Sequence, residues 1–443
     1  MIRSEIFQDW FSTRETREIF SDRNTVQQWL NAEAALAQAQ AAAGLLPPHA
    51  AETITQKADA ALIALEPLRE HYRVVGYPIL PLLKVWEEEL GEEAARYVHW
   101  GATTQDITDT GLVLQLKQAL IPLERDLAGV MSTLAALARK HRHTLMAGRT
   151  HGQHAVPITF GFKAAIWLAE LKRHRARFDT LKPRLLVGQL AGAGGTLASL
   201  GADGAGIQAE MMRRLGLAVP SIAWHSARDS FGEFACCLAL LGATLEKMAH
   251  EVELLQKNEI AELSESYETG KGASSTMPQK RNPSNCEAVI ALGRLLREQV
   301  PAVIGAMTQE HERDWWAMHI EWKAIPEMCC LCAAELALSL RILGGLEVDE
   351  ARMRQNLEIT RGLILAEAVM MNLAQKVGRN AAHELLDRIS MGAFAAGGSF
   401  AEALQQSPVL REHFSAEEIS RLLDPAGYLG QIAEAVDRVT EEV

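Results

Sequence analysis

Aromatic residues are scarce, at 6% of 443, and no stretch stays apolar for the roughly 20 residues that a membrane-spanning helix needs. The missing run excludes a transmembrane segment. Excess positive charge is absent too: 44 Lys and Arg face 56 Asp and Glu, a formal charge of −12, which disfavours nonspecific attraction to nucleic acid or to an anionic membrane. The basic clusters that do occur, Lys172-Arg-His-Arg-Ala-Arg177 and Arg139-Lys-His-Arg142, lack interleaved aromatics and read as solvated helix faces. The opening Met1-Ile-Arg-Ser-Glu-Ile-Phe-Gln-Asp carries charge where a secretion signal needs an apolar core, so a cytoplasmic protein is expected.

Cofactor signatures are missing as well. The six cysteines sit in apolar helical stretches, Cys236-Cys237, Cys286 and Cys329-Cys330-Leu331-Cys332. Cys329 and Cys332 make one CxxC without a second ligand pair nearby, which reads as buried reduced thiols rather than a metal site. Gly192-Ala-Gly-Gly-Thr196 lacks the Lys-Ser/Thr of a phosphate-binding loop and is not bracketed by strands. No metal, flavin or nicotinamide cofactor is expected.

Runs of alternating β-branched residues are also few, whereas Ala, Leu, Glu, Gln, Arg and Met abound, so the chain is read as all-α. An early helix spans residues 24–44, ended by Gly44 and Pro47-Pro48. A polar first domain covers residues 1–110. Long helical segments follow from Thr110 to His141, Thr159 to Thr180, Ser230 to Glu262 and Pro283 to Met307, defining a central bundle over residues 111–350. Phe231 to Leu245 is apolar around most of its circumference, which calls for partners outside the bundle and hence oligomerisation. Shorter helices with turn signals at Gly362, Gly378 and Gly397-Gly398 make a small domain over residues 351–443.

The richest segment is Gly270-Lys-Gly-Ala-Ser-Ser-Thr-Met-Pro-Gln-Lys-Arg-Asn-Pro283. A Gly/Ser loop here meets a cation, an amide and a helix-starting proline, a set that offers hydroxyls and helix N-terminal N–H groups to an anion. Arg149-Thr-His-Gly-Gln-His154 places two histidines just before a helix expected to begin near Pro157; an imidazole exchanges protons near neutral pH. His99-Trp-Gly-Ala-Thr-Thr-Gln-Asp-Ile-Thr-Asp109 brings hydroxyls to the start of a long helix, where Thr103 and Thr104 can bind a carboxylate. Gln309-Glu-His-Glu-Arg-Asp-Trp-Trp316 offers Arg313 for bidentate carboxylate contact.

In order and spacing, Ser274-x-x-Met277-x-x-Lys280-x-Asn282 resembles the signature loop of the fumarase/aspartase superfamily, with Ala273 where that loop usually has Gly. The His99–Asp109 and Thr150-His-Gly-Gln153 segments resemble the superfamily's first and second motifs. The likeness extends over nearly the whole chain, through Arg17–Asp22, Glu33–Leu36 and Asn356–Glu367, towards the 3-carboxymuconate lactonizing and adenylosuccinate lyase branches. It implies the three-domain all-α fold with a central bundle of long helices, and a homotetramer whose active sites each draw on three subunits. It also implies a small dicarboxylate or tricarboxylate substrate, with neither nucleic acid nor membrane as partner.

By motif position, the resemblance assigns Ser274 as the base, His151 as the acid, and Lys280 and Asn282 as stabilisers of the carbanion. Thr103, Thr104, His99, Gln153, Ser275, Met277 and Arg313 fall at substrate-binding places. Trp316, Ala317, Met318 and Trp322 stand where adenylosuccinate lyases carry phosphate-binding residues, which argues against a nucleotide. His151 stands where the bacterial lactonizing enzymes have Trp. Lactonization needs no proton donor for a leaving group, and elimination does. The resulting expectation is a carbon–nitrogen lyase releasing fumarate from an N-substituted aspartate such as iminodisuccinate. The alternatives are a 3-carboxy-cis,cis-muconate cycloisomerase and an inactive structural relative, the latter disfavoured by retention of Ser274, His151, Lys280 and Asn282 together.

Overall fold

The computed structural model describes residues 4–266, 276–277, 279–395 and 397–441. Helices dominate, as the composition requires, and the described strands make only two short antiparallel pairs. Thr104–Lys140, Phe160–Leu185, Asp229–Gln256 and Trp315–Gly344 run 37, 26, 28 and 30 residues. Among the described residues no helix is long and apolar enough to cross a membrane.

Contacts divide the chain into two compact units: Met1–Leu127, His174–Glu246 and Ala291–Ala337 in the first, and Ala128–Arg173, Lys247–Ile290 and Leu338–Val443 in the second. In the first unit, Asp22–Ala42 packs against Pro48–Gln56 and Gly204–Leu215 through buried Leu30, Leu36 and Ile54. Ser21 starts that helix by accepting the N–H of Asn24. Its end is a Schellman turn: Gly44, at φ 75°, donates to Ala41, and Leu45 donates to Gln40. Phe231 to Leu245 is largely buried within the chain itself, leaving Leu240 exposed. Its apolar girth therefore does not by itself call for an external partner.

In the second unit, the Leu145–Thr150/Gln153–Thr159 hairpin packs against Glu350–Leu357. Ala147 joins Leu357, Ile364, Leu365 and Ala368 in one apolar cluster. A second cluster, including Leu373, Leu386, Phe400, Leu404 and Leu410, fills the C-terminal helices.

Three boundaries differ from expectation. The helix expected near Pro157 begins at Phe160, because residues 145–159 are spent on the hairpin and Thr159 Oγ1 caps the helix by accepting the N–H of Phe162 at 3.1 Å. Pro283 to Met307 is not one helix but two, Ser284–Glu298 and Val300–Gly305. Pro301 lacks an N–H and collides with the carbonyl four residues back, so it can only open a new helix. The helix through Cys236-Cys237 stops at Gln256, and the chain turns through Ala261 at φ 54° with no glycine to announce it. The cysteines at 329, 330 and 332 are buried free thiols, their pKa values raised foremost by burial.

Gly161 shows how tightly the hairpin exit is packed. Its N–H donates to His141 at 2.9 Å, and a Cβ there would lie 2.5 Å from the Ala138 carbonyl oxygen and 2.7 Å from the His141 carbonyl. Gly to Ala inside a helix ordinarily stabilises by about 0.5–1 kcal/mol. Here Gly161→Ala is expected to destabilise by about 1–3 kcal/mol through overpacking against backbone; a melting temperature at or above that of the parent in scanning calorimetry would contradict this.

Candidate active site

Asp106 organises the first group of candidate residues. It sits in the first turn of Thr104–Lys140, fully buried, and four N–H donors converge on its carboxylate. Oδ2 accepts the backbone N–H of Thr103 at 3.0 Å and of Gly192 at 2.9 Å; Oδ1 accepts that of Ala191 at 2.9 Å and lies 2.8 Å from Nε2 of buried His225. A carboxylate three residues into a helix, bonded back to the N–H at the cap, is half of a capping box. The remaining bonds strap the glycine-rich 189–196 segment to the helix. Thr110 Oγ1 adds to this strap through the N–H and carbonyl of Gln189, both at 2.9 Å.

One turn on, Asp109 binds Arg228 at 2.7 and 2.9 Å, and Arg228 also bonds Glu321 at 2.9 and 2.5 Å, all three side chains buried. Trp224 and Phe231 flank the guanidinium, their ring centroids 5.0 and 4.9 Å from it. Burial, foremost, raises the pKa of Glu321, against the pull of Arg228.

This scaffold presents Thr103. Arg313 Nη1 donates to Thr103 Oγ1 at 2.7 Å, Nη2 donates to the Ala193 carbonyl, and Nε is buried without a partner among the described residues. Two residues assigned independently to carboxylate binding are thus in contact. Thr104 is half-buried in the first helical turn. His99 lies on the same loop, with Nδ1 2.6 Å from Oε1 of fully buried Glu33.

The remaining described candidates belong to the second unit. His151 and Gly152, at φ 52° and 75°, form the two-residue tip of the hairpin. Positive φ at both places is the pattern of a type I′ turn, whose twist matches that of the strands and whose first place is more often Asn, Asp or Gly than His. The ring of His151 is exposed, and Gln153 opens the returning strand. Below the tip, Arg149 is clamped by Glu262, Nη1–Oε2 at 2.9 Å and Nη2–Oε1 at 2.6 Å, and Asn356 donates to Glu262 at 2.8 Å. Burial, then Arg149, lowers the pKa of His154.

Ser274 and Ser275 lie outside the described residues. The chain on either side of them is anchored. Glu265 accepts the N–H of Cys286 at 2.7 Å and the side-chain amide of Asn285 at 2.5 Å, in the first turn of Ser284–Glu298, while Gln256 accepts the N–H of Glu265 at 3.0 Å and donates to the Arg281 carbonyl at 3.2 Å. Met277 and Lys280 are exposed, and Asn282 is half-buried just before that helix.

Sequence reasoning passed over Asp106, His225, Glu33, Arg149, Glu262 and Asn356 as site-building residues. Thr103-x-x-Asp106 is a capping pattern visible in the sequence; the others are long-range pairings with no local signal. Asp106→Asn would turn an amide NH₂ towards N–H donors whichever way it rotates. The expected loss is about 2–4 kcal/mol of stability, measured as an earlier denaturation midpoint; an unchanged midpoint would remove Asp106 from its organising role.

Known proteins agree with the motif reading. Residues 11–296 match the family described as Lyase, and residues 362–439 the one described as Adenylosuccinate lyase C-terminus. The chain is 42% identical over 442 residues to 3-carboxy-cis,cis-muconate cycloisomerase of Pseudomonas aeruginosa, covering 99% of this chain and 96% of that protein. It is 40% identical over 429 residues to N-acetyl-S-(2-succino)cysteine lyase of Dickeya dadantii, covering 97% and 94%. The solved structure of a fumarate lyase from Mesorhizobium sp. BNC1 matches with a TM-score of 0.91 at 41% identity, covering 98% of this chain and 99% of that one. None of these three names carries an N-substituted aspartate, so the carbon–nitrogen specificity has no support from them. Motifs, helical architecture and matches over almost the full length converge: the chain belongs to the Lyase family of the fumarase/aspartase superfamily.

Proposed function

We propose that the protein catalyses anti β-elimination from a 2-substituted succinate, releasing fumarate and the protonated leaving group. The observation that carries this reading is His151, an imidazole held at a hairpin tip with its ring exposed. In the reaction, Ser274 Oγ, as its alkoxide, takes a proton from the carbon bearing no leaving group. The electron pair moves onto the neighbouring carboxylate, and Lys280, Asn282 and the N-terminus of Ser284–Glu298 stabilise the added charge. The carbon–heteroatom bond then breaks as His151 delivers a proton to the departing atom. Thr103 and Arg313 hold a carboxylate, with Thr104 beside Thr103 at the helix start.

The departing atom is sulfur or nitrogen. Sulfur is supported by the likeness to a succinocysteine lyase; an amine was the reading from sequence, and iminodisuccinate itself finds no support in the comparisons. The cycloisomerase is the competing reading, and similarity to known proteins favours it: the 42% identical relative bears that name. Against it stands His151, since a ring-closing carboxylate needs no proton donor.

The test is a panel assay following fumarate release from S-(2-succino) thioethers and N-substituted aspartates beside loss of 3-carboxy-cis,cis-muconate. Fumarate from either class is the expected result; loss of muconate alone would establish the cycloisomerase. His151→Gln should lower the turnover of fumarate release by about 100-fold or more with the melting temperature retained, and Ser274→Ala should abolish it. Full activity in either variant would remove that residue from the mechanism.

A further inference from the structure

Glu33 is a carboxylate taken wholly out of water, and its described hydrogen bonds all come from one residue. It accepts the backbone N–H of His99 at 3.1 Å on Oε2, and Oε1 lies 2.6 Å from His99 Nδ1. A buried anion costs a great deal unless a charge or several donors answer it. The backbone of His99 is itself uncommon, with φ at 60°, a region that few non-glycine residues enter.

The loop around it is tied down residue by residue. The Trp100 carbonyl accepts Gln40 Nε2 at 2.6 Å, the Gly101 carbonyl accepts Ser199 Oγ at 2.8 Å, and Thr103 is fixed by Asp106 and Arg313. With Nδ1 committed to Glu33, the ring's other nitrogen, Nε2, has no partner among the described residues, and the side chain keeps 19% of its exposure. The imidazole is therefore oriented, anchored at one nitrogen and open at the other, four residues from Thr103.

We propose that Glu33 is a positioning residue that holds His99 as a cationic Nε2–H donor, adding a further carboxylate-binding point to the loop that carries Thr103, so that the site takes tricarboxylates in preference to simple dicarboxylates. The proposal rests on the elimination reading and deepens it: the third carboxylate belongs to the leaving group of the substituted succinate. The charged groups facing His99 are Glu33, from Asp22–Ala42, and Asp106, from Thr104–Lys140. Burial opposes the imidazolium, but Glu33 and then Asp106 more than offset it, and the pKa of His99 lies above the ordinary imidazole value. Stabilisation of a bound carboxylate is thus fully present below the ordinary imidazole value and lost as pH rises through the raised one.

The test needs no turnover. Calorimetric titration of the full-length protein with tricarballylate and with succinate runs upward in pH from the ordinary imidazole value of about 6.5, the direction in which the imidazolium is lost. Expected for the wild type is a preference for tricarballylate of about tenfold, the scale of one charge-assisted hydrogen bond, shrinking towards high pH. Glu33→Gln should move that decline to lower pH. His99→Asn, a residue at ease with positive φ, should abolish the preference at every pH. Equal affinity for the two ligands in the wild type, or a pH profile unaltered by both substitutions, would overturn the proposal. If neither ligand bound the wild type, the carboxylate site itself would be refuted, and the proposal with it, an outcome distinct from unaltered profiles.

Discussion

Two carboxylates one helical turn apart decide the geometry of the substrate-binding candidates. Asp106 and Asp109 occupy one face at the start of Thr104–Lys140 and take His225 and Arg228, themselves three residues apart on the segment leading into Asp229–Gln256. Both carboxylates are desolvated, so neither is tolerable unless its donors sit where they do. Removing any partner leaves buried charge exposed to a low dielectric, which makes the arrangement closer to all-or-none than to a sum of separate bonds. The 189–196 segment is drawn in by the same logic: Ala191 and Gly192 supply backbone donors because Asp106 has lone pairs left over. Thr103 and Arg313 then meet on a platform with little freedom to shift.

The second unit holds its candidates differently. His151 stands at the end of a two-residue turn, and Lys280 is exposed. Anchoring lies one step behind them, in Arg149–Glu262–Asn356 and in Glu265 with the first turn of Ser284–Glu298. In the proposed roles, the carboxylate-binding candidates Thr103 and Arg313 are built onto a buried network, and His151, the proposed acid, is carried on a tip whose base is fixed. Such a division suits a reaction in which carboxylates are bound throughout but charge and protons move only near the transition state. Local opening costs least where few buried contacts must break, and tips are such places.

Helix content, the long central helices and the motif segments were legible because they depend on local composition and spacing. Gly44 ended its helix as read, since a Schellman turn is a local event. The hairpin at 145–159 was not legible because His151-Gly152 is not one of the favoured turn pairs and Pro157, which lacks a backbone N–H, lies within the returning strand. Pro301 carried its signal openly, and the expected continuous helix ignored it. Glu33, Glu262 and Asn356 could not be read, because each acquires its role from a partner 66 to 113 residues away. The apolar stretch from Phe231 to Leu245 failed as evidence for a partner for a related reason: periodicity tells that a helix is buried on all sides but not by which chain.

For the proposed elimination, candidate leaving groups differ in how much help their departure needs. A carboxylate leaves with an acid pKa near 4 and is content as an anion, so a proton donor contributes little. A thiolate, with a pKa of about 8.5, leaves unaided but faster when protonated. An amine cannot leave as its anion in water and requires the proton before or during cleavage. The sensitivity of turnover to the acid therefore rises from carboxylate through thiolate to amine. Positive φ at a residue other than glycine has a standing cost in stability, which His151 shares with Leu197 and Ala261. In the proposed reading His151 matters more to an enzyme that expels sulfur or nitrogen than to a lactone-forming enzyme, whose ring oxygen needs no proton.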